Sequence, residues 1–277
     1  MISVIVPTYN RASPLKKTVQ SILSQTHQDF ELIIVDDGST DDTDKTIPKD
    51  SRITLIRQEN KGPSHARNVG IKKSKGDTIA FLDSDDWWDK NKLEMQFRCM
   101  EKNPGYLISY TGEVWYKNGR LFNQKQKHKK FHGYIFDKCL PLCVVSMSTI
   151  MIRRELFEKI GLFDESLPCC EDYDFWLRAS VEHEFLLIDL PLTSKDGGRP
   201  DQLSSIHATG MDKYRIQSIK KLLDRGLLDE KQQDLATKEL RKKCRIYGNG
   251  CIKHGREEEG RYYLNLKGTG SHTKPLK

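Results

Sequence analysis

The stretch Thr78-Ile79-Ala80-Phe81-Leu82-Asp83-Ser84-Asp85-Asp86 joins an uncharged apolar run directly to three carboxylates. A short apolar run bounded by polar residues predicts a strand buried on both faces. Carboxylates are costly to desolvate, so the cluster is expected where the strand ends and a crevice opens. Like charges held this close call for a hard divalent cation with oxygen ligands. A second reading stays open on these residues alone: Asp85 or Asp86 as the cap of a helix beginning near Lys90.

The residues on either side repeat the pattern. Ile2 to Val6 reads as a strand stopped by Pro7, and Ser13-Pro14 as the cap and first turn of a helix with Leu15, Val19, Ile22 and Leu23 on its apolar face. Phe30 to Val35 is a second strand running into Asp36-Asp37-Gly38-Ser39, and Arg52 to Ile56 a third. A helix over Ser64 to Ser74 leads back to the opening strand. Strand and helix in alternation predict an α/β fold with a mostly parallel, Rossmann-like sheet flanked by helices. Ligands of such sheets bind beyond the carboxyl ends of the strands. Thr8 to Arg11, Asp36-Asp37 and Asp83-Ser84-Asp85 all fall there. No Gly-x-Gly-x-x-Gly follows the first strand and no Walker-type loop is present, which disfavours a dinucleotide cofactor or a P-loop enzyme.

With 277 residues, 36% hydrophobic and 31% charged, the chain has the composition of a soluble globular protein. No apolar run reaches the roughly 18 residues of a membrane span, and Met1 to Pro7 reads as a strand rather than a leader. Seven cysteines without regular spacing suggest reduced thiols in a cytosolic compartment rather than a disulfide framework or zinc site. The net charge of +7 is concentrated in Lys125 to His132 and in the Lys- and Arg-rich residues 220–245. No nucleic-acid-binding motif accompanies them. Solvated helix faces are the bland account, and an anionic membrane surface or charged acceptor the sharper one.

Taken together, Val4-Ile-Val-Pro-Thr-Tyr-Asn10, Val35-Asp-Asp-Gly-Ser-Thr-Asp41, Ala66-Arg-Asn-Val-Gly70 and Phe81-Leu-Asp-Ser-Asp-Asp86 resemble the markers of glycosyltransferase family 2, in that family's order. Cys170-Glu-Asp-Tyr-Asp-Phe-Trp176 is similar to its Glu-Asp motif. The resemblance implies a GT-A fold and an inverting, metal-dependent transferase that moves a sugar from a nucleotide diphosphate, a UDP-sugar first, to an acceptor hydroxyl. It implies that Thr8, Tyr9 and Arg11, with Pro7, line the base pocket. One of Asp36 and Asp37 bonds the base, and Arg67 lies near the base and phosphates. Asp83, with Ser84, is then the ribose-side carboxylate, and Asp85 beside Asp83 the position holding Mn2+ or Mg2+. Asp172, with Glu171 adjacent, matches the catalytic base, although Asp172 also suits a helix cap. A nucleotidyltransferase of related fold and a non-catalytic carbohydrate-binding protein are the alternatives. The first lacks its Gly-rich, Arg-containing loop here, and the second would not need both acidic motifs.

The expected organisation is a nucleotide-sugar half over residues 1–102, an acceptor half over 103–205, a helical extension over 206–266 and a flexible tail over 267–277. In the second half, Leu142 to Ile152 reads as a buried strand and Lys117-Asn-Gly-Arg120 as a tight hairpin turn. Phe185 to Leu190 reads as a further strand, and Thr193 to Gln202 as a mobile flap in which Arg199 or the nearby His207 reaches metal or phosphate. Trp87-Trp88 is expected to pack rather than stack on sugar. The helices after Met211 could pack on the catalytic part, form a homodimer contact or lie on a membrane. The expected partners are a nucleotide-sugar donor and a glycan or lipid-linked acceptor, with no nucleic acid. The expected location is cytoplasmic, with peripheral contact at the inner face of the membrane.

Overall fold

A computed structural model describes residues 1–117, 119–207 and 209–266. The apolar runs become the strands β1 (Ile2–Thr8), β2 (Phe30–Asp36), β3 (Ile53–Arg57) and β4 (Thr78–Phe81), connected by the helices α1 (Ala12–Leu23) and α2 (Pro63–Lys73). The remaining strands are β5 (Trp87–Trp88), β6 (Ile108–Lys117), β7 (Arg120–Phe122), β8 (Ile150–Arg153) and β9 (Phe185–Gly197). The later helices are α3 (Lys92–Lys102), α4 (Phe136–Cys139), α5 (Glu155–Ile160), α6 (Glu171–Ser180) and α7 (Leu203–Ile206), then α8 (Met211–Asp224), α9 (Glu230–Lys253) and α10 (Glu257–Asn265).

Among the described residues one sheet runs in the order β3-β2-β1-β4-β8-β6-β9-β5, with β7 hanging from β6. The β3-β2-β1-β4 part is parallel throughout, and β6-β9 is parallel as well. β8 joins β4 and β6 antiparallel, so the sheet continues unbroken across the expected boundary at residue 102. β1 sits between β2 and β4 with Ile2, Val4, Ile5 and Val6 fully buried. Each such aliphatic side chain contributes about 1.5–3 kcal/mol of burial, which fixes this strand as the centre of its half.

The helix α1 begins one residue before the expected cap: Ser13 caps nothing, and the Ala12 amide donates to Asp41 Oδ2 at 3.2 Å instead. The run Leu142 to Ile152 forms a strand only from Ile150 onward. Its Ser146 and Ser148 hydroxyls are engaged by carboxylates, and the Thr149 hydroxyl donates to the Ser146 carbonyl. Such side-chain bonds compete with ladder pairing. The segment expected to be a flap is strand as far as Gly197, because β9 continues along β6 past an irregular register at Gly112. A Cβ on Gly112 would lie 2.9 Å from the Leu190 carbonyl oxygen, so this position needs glycine. Asn118 of the expected hairpin turn and the expected tail at 267–277 lie outside the described residues.

The helical extension shares a core with the second half. Ile216, Ile219, Leu222 and Leu223 of α8 and Leu240, Cys244, Tyr247 and Cys251 of α9 join Tyr173, Phe175 and Trp176 of α6 in one buried cluster. In the sequence these positions of α8 and α9 recur at helical spacing.

One core residue breaks the apolar rule. Lys92 is fully buried, its amine over the Trp88 ring and donating to the Ile150 carbonyl at 3.2 Å. Burial holds its pKa well below the usual lysine value. A depressed lysine binds fewer protons folded than unfolded, so its destabilising effect is greatest at low pH and fades as pH rises toward the unfolded pKa. Lys92→Met is expected to raise stability by about 1–3 kcal/mol near neutral pH. The advantage over the natural chain should shrink from pH 8 to pH 10 in paired thermal melts.

Candidate active site

The carboxyl ends of β1, β2 and β4 open into a cavity of about 1000 Å3, closed on the far side by β6, β9 and the start of α6. Pro7, Thr8, Tyr9 and Arg11 all line it. Thr8 is buried with its hydroxyl unpartnered, whereas Tyr9 is exposed. Arg11 reaches across to Asp201, with Nη1 at 2.5 Å from Oδ2.

Asp36 and Asp37 divide. Asp36 is buried beneath the wall, where Oδ1 accepts from the Ser39 amide at 2.9 Å. Asp37 stands on the wall and accepts from the Lys61 and Gly62 amides at 2.9 and 2.8 Å, fixing the loop that enters α2. Gly38 makes the turn immediately after them with φ +83°, and a Cβ there would lie 2.9 Å from the Asn60 nitrogen.

The opening acidic cluster also separates into three environments. Asp86 is buried, accepting from Ser148 Oγ at 2.6 Å and from the Asp196 amide at 3.2 Å. Burial pushes its carboxyl well above the usual range. Asp85 receives Arg199 Nη2 and, at 3.2 Å, Gln202 Nε2. Burial and then the charge of Asp83 raise its pKa, and Arg199 opposes them. Asp83 is the most accessible of the three and accepts from Arg67 Nη2 at 2.8 Å. The helix α3 starts after Asn91 with no side-chain cap, so neither Asp85 nor Asp86 serves it.

Arg67 is the hinge of the arrangement. It rises from α2 and is almost wholly buried, with Nη1 2.5 Å from Glu171 Oε1 and Nη2 on Asp83. Burial disfavours its charge, yet the two carboxylates outweigh that and hold its pKa above the ordinary arginine value. Glu171 is thereby engaged in the interior, while burial raises its own carboxyl against the pull of Arg67. Asp172 is half-buried on the cavity wall, with Oδ2 accepting from the Cys143 thiol at 3.3 Å. The cap of α6 is Cys170, in left-handed geometry with φ +64° and no side-chain cap bond, so Asp172 does not cap the helix.

Several wall residues carry no sequence signal for this site. Cys143, Lys195 and Arg215 all line the cavity. Burial disfavours the Lys195 charge, but Asp86 and Glu113 outweigh it and raise its pKa. Lys195 and its neighbours Asp196 and Gly197 on β9 all line the cavity, so strand alternation alone does not single it out. His207 packs edge-on against Tyr214 and is not among the lining residues.

The profile of Glycosyl transferase family 2 matches residues 3–161. The chain belongs to that family. An uncharacterized glycosyltransferase of Rickettsia bellii is 40% identical over 182 residues, covering 65% of this chain and 26% of its own length. A Rickettsia felis relative is matched over 32% of its length, so the chain spans about a quarter to a third of these relatives. The Escherichia coli UDP-Glc:alpha-D-GlcNAc-diphosphoundecaprenol beta-1,3-glucosyltransferase WfgD is 36% identical over 195 residues, 68% of this chain and 73% of that one. In fold, the chain is similar to Staphylococcus aureus TarS 1–349 in complex with UDP-GlcNAc, with TM-score 0.74, 21% identity and coverage of 95% and 78%. It is also similar to the Pyrobaculum calidifontis mannosyltransferase PcManGT in complex with GDP-Man and Mn2+, with TM-score 0.67, 16% identity and coverage of 95% and 73%. The GT-A glycosyltransferase architecture expected from the family 2 markers is the one the sheet and its helices form.

Breaking a buried ion pair from one side leaves a bare charge and typically costs about 3–5 kcal/mol. Arg67→Met is expected to destabilise the chain by that amount in urea titrations. Arg67→Met combined with Glu171→Gln should recover most of the loss, because no buried carboxylate is then left unpaired next to α6.

Proposed function

We propose that this family 2 chain transfers a sugar, glucose first among candidates, from a UDP-sugar to a hydroxyl of a lipid-diphosphate-linked sugar, with inversion at the anomeric carbon. The observation that carries the proposal is the Arg67 clamp. It ties Asp83 at the end of β4 to Glu171 in the first turn of α6, so the strand-end acids and the neighbouring Asp172 carboxylate are held at one separation along the cavity wall, an arrangement that suits a single displacement. The WfgD name adds a donor, an acceptor class and a β linkage, and a β product from α-configured UDP-glucose is an inversion.

In this reading the base lies between Tyr9, Thr8 and Asp37, and the ribose near Asp83 and Ser84. The diphosphate lies toward Asp85, with Arg67 an interior strut beneath it rather than a direct contact. Asp83 and Asp85 offer hard oxygen donors of the kind Mg2+ and Mn2+ prefer, and burial together with the neighbouring Asp83 charge disfavours the ionised form of Asp85. Among the described residues no group of three or more His, Cys, Asp or Glu side chains is arranged to hold a metal, so the diphosphate and water would complete the coordination. The residues therefore fit such an ion, which when bound would stabilise the charge developing on the leaving diphosphate. Arg199 provides positive charge at the same carboxylate from the protein side.

Asp172 takes the proton from the acceptor hydroxyl as the oxygen attacks the anomeric carbon. The Cys143 thiol holds one oxygen of that carboxylate, and burial keeps the thiol protonated by pushing its pKa well above normal. Glu171 contributes through Arg67, as a positioning residue. Trp115 and Tyr116 on the acceptor side offer flat apolar faces suited to a sugar ring.

Two variants test the reading with UDP-glucose and a lipid-diphosphate GlcNAc acceptor. Asp172→Asn is expected to leave calorimetric UDP affinity unchanged while kcat falls by about 10²–10⁴-fold. Asp85→Ala should weaken UDP binding in Mn2+ at least about tenfold and leave metal-free UDP binding nearly unaltered. Transfer at the natural rate by Asp172→Asn would remove it as the base.

A further inference from the structure

Between Glu113 and Asp137 the chain carries no acidic residue, while Lys117, Arg120, Lys125, Lys127, Lys129 and Lys130 all fall there. Asp and Glu make up 39 of 277 residues, so the residues 114–136 would ordinarily include about three. In the structure this segment contains the outer end of β6 and the strand β7, whose described strand partner is β6 alone. Phe122 lies opposite Trp115 and Leu121 opposite Tyr116. Trp115, Tyr116, Lys117 and Phe122 line the cavity, so the hairpin forms part of its rim.

The tip does not bury what it carries. Leu121 is 66% exposed and Phe122 42% exposed. Lys130 is used internally, bonding Glu113 Oε1 at 2.8 Å. Lys117, Arg120, Lys125 and Lys129 are exposed, and among the described residues none of them forms an ion pair. Basic residues on an edge strand can simply deter edge pairing. That role accounts for Arg120 but not for two large apolar side chains in water or for the missing acids. Cations flanking an exposed apolar tip match the chemistry of an anionic phospholipid surface, where the charges meet headgroups and the apolar tips enter the acyl boundary.

We propose that the β6–β7 hairpin is a docking element for an anionic bilayer, seating the cavity mouth at the membrane surface. The docking itself stands on the hairpin's own chemistry, and only its use in presenting a lipid-linked acceptor rests on the function proposed above. No helix among the described residues is long and apolar enough to cross a membrane, and the proposal needs none.

Co-sedimentation with vesicles of phosphatidylcholine, alone or with phosphatidylglycerol, tests it. The natural chain should bind only the anionic vesicles, and less as salt is raised. Leu121→Ser, and separately Arg120→Gln with Lys125→Gln, should weaken binding at least about tenfold with unchanged melting temperature. Arg241→Gln with Arg245→Gln on the exposed face of α9 should have little effect. Binding that survives the hairpin changes but is lost in the α9 variant would overturn the assignment. So would failure to bind any vesicle, or retention by single-stranded RNA without vesicle binding. Calorimetry of UDP with Mn2+, without vesicles, should be the same for Leu121→Ser and the natural chain. Vesicle binding without sugar transfer would leave the docking surface standing and remove the proposed function instead.

Discussion

A cation with almost no access to water must be paired, and Arg67 is paired twice, with Asp83 and with Glu171. The constraint reaches three elements at once: α2, which carries the arginine, the end of β4, and the first turn of α6. A buried guanidinium tolerates little displacement of either carboxylate, since its planar fork fixes both directions. The two walls of the cavity are therefore set at one spacing by electrostatics rather than by packing alone. The apolar cores on the two faces of the sheet supply most of the stability, but neither determines how far the Glu171-Asp172 turn stands from the strand-end acids.

The acid cluster shows how neighbours in sequence become different chemical objects. Asp86 turns inward to Ser148 and the Asp196 amide, so it shapes the loop and serves β9. Asp83 turns to Arg67 and remains the most accessible of the three. Asp85 lies between them in exposure and faces Arg199 from near the chain's residue 200. Desolvation raises the pKa of both Asp85 and Asp86, but Asp86 has a hydroxyl and an amide to accept from, whereas the partners of Asp85 are long side chains from another part of the chain. A fixed carboxylate and an adjustable one thus stand side by side.

Much of this was legible in the sequence, and for identifiable reasons. The parallel half reads clearly because its strands are uninterrupted apolar runs that end in acids, as Ile79 to Leu82 does before Asp83. The helices after Met211 read clearly because their buried positions keep helical spacing. The second half reads poorly where side chains were diverted to the site: Ser146 and Ser148 look like tolerable strand residues but are held by Glu113 and Asp86. β9 reads as strand only to Leu190 because Pro191, Ser194, Lys195 and Asp196 look like loop, and only pairing with β6 and β5 makes them strand. Cys143, Lys195 and Arg215 could not be assigned because their relevance depends on which distant segment they face. Asp36 shows the same limit in reverse, since its motif partner Asp37, one residue away, is the member on the wall.

The position of β9 has a consequence for synthesis on the ribosome. β5 follows the acid cluster immediately, yet its partner in the sheet is β9, about a hundred residues later. The parallel core of β1 to β4 has all its own strands once residue 81 has emerged, because its pairings are local in order. The neighbouring acids must then wait for β9, Arg199 and Gln202 before the cavity has its second wall. The nascent chain therefore passes through an interval in which the strand-end wall of the cavity is built but bare, and the cavity closes only when the late strand is threaded between β6 and β5. A product ending between about residues 177 and 198 would keep the signature motifs and lack Arg199 and Gln202 beside Asp85.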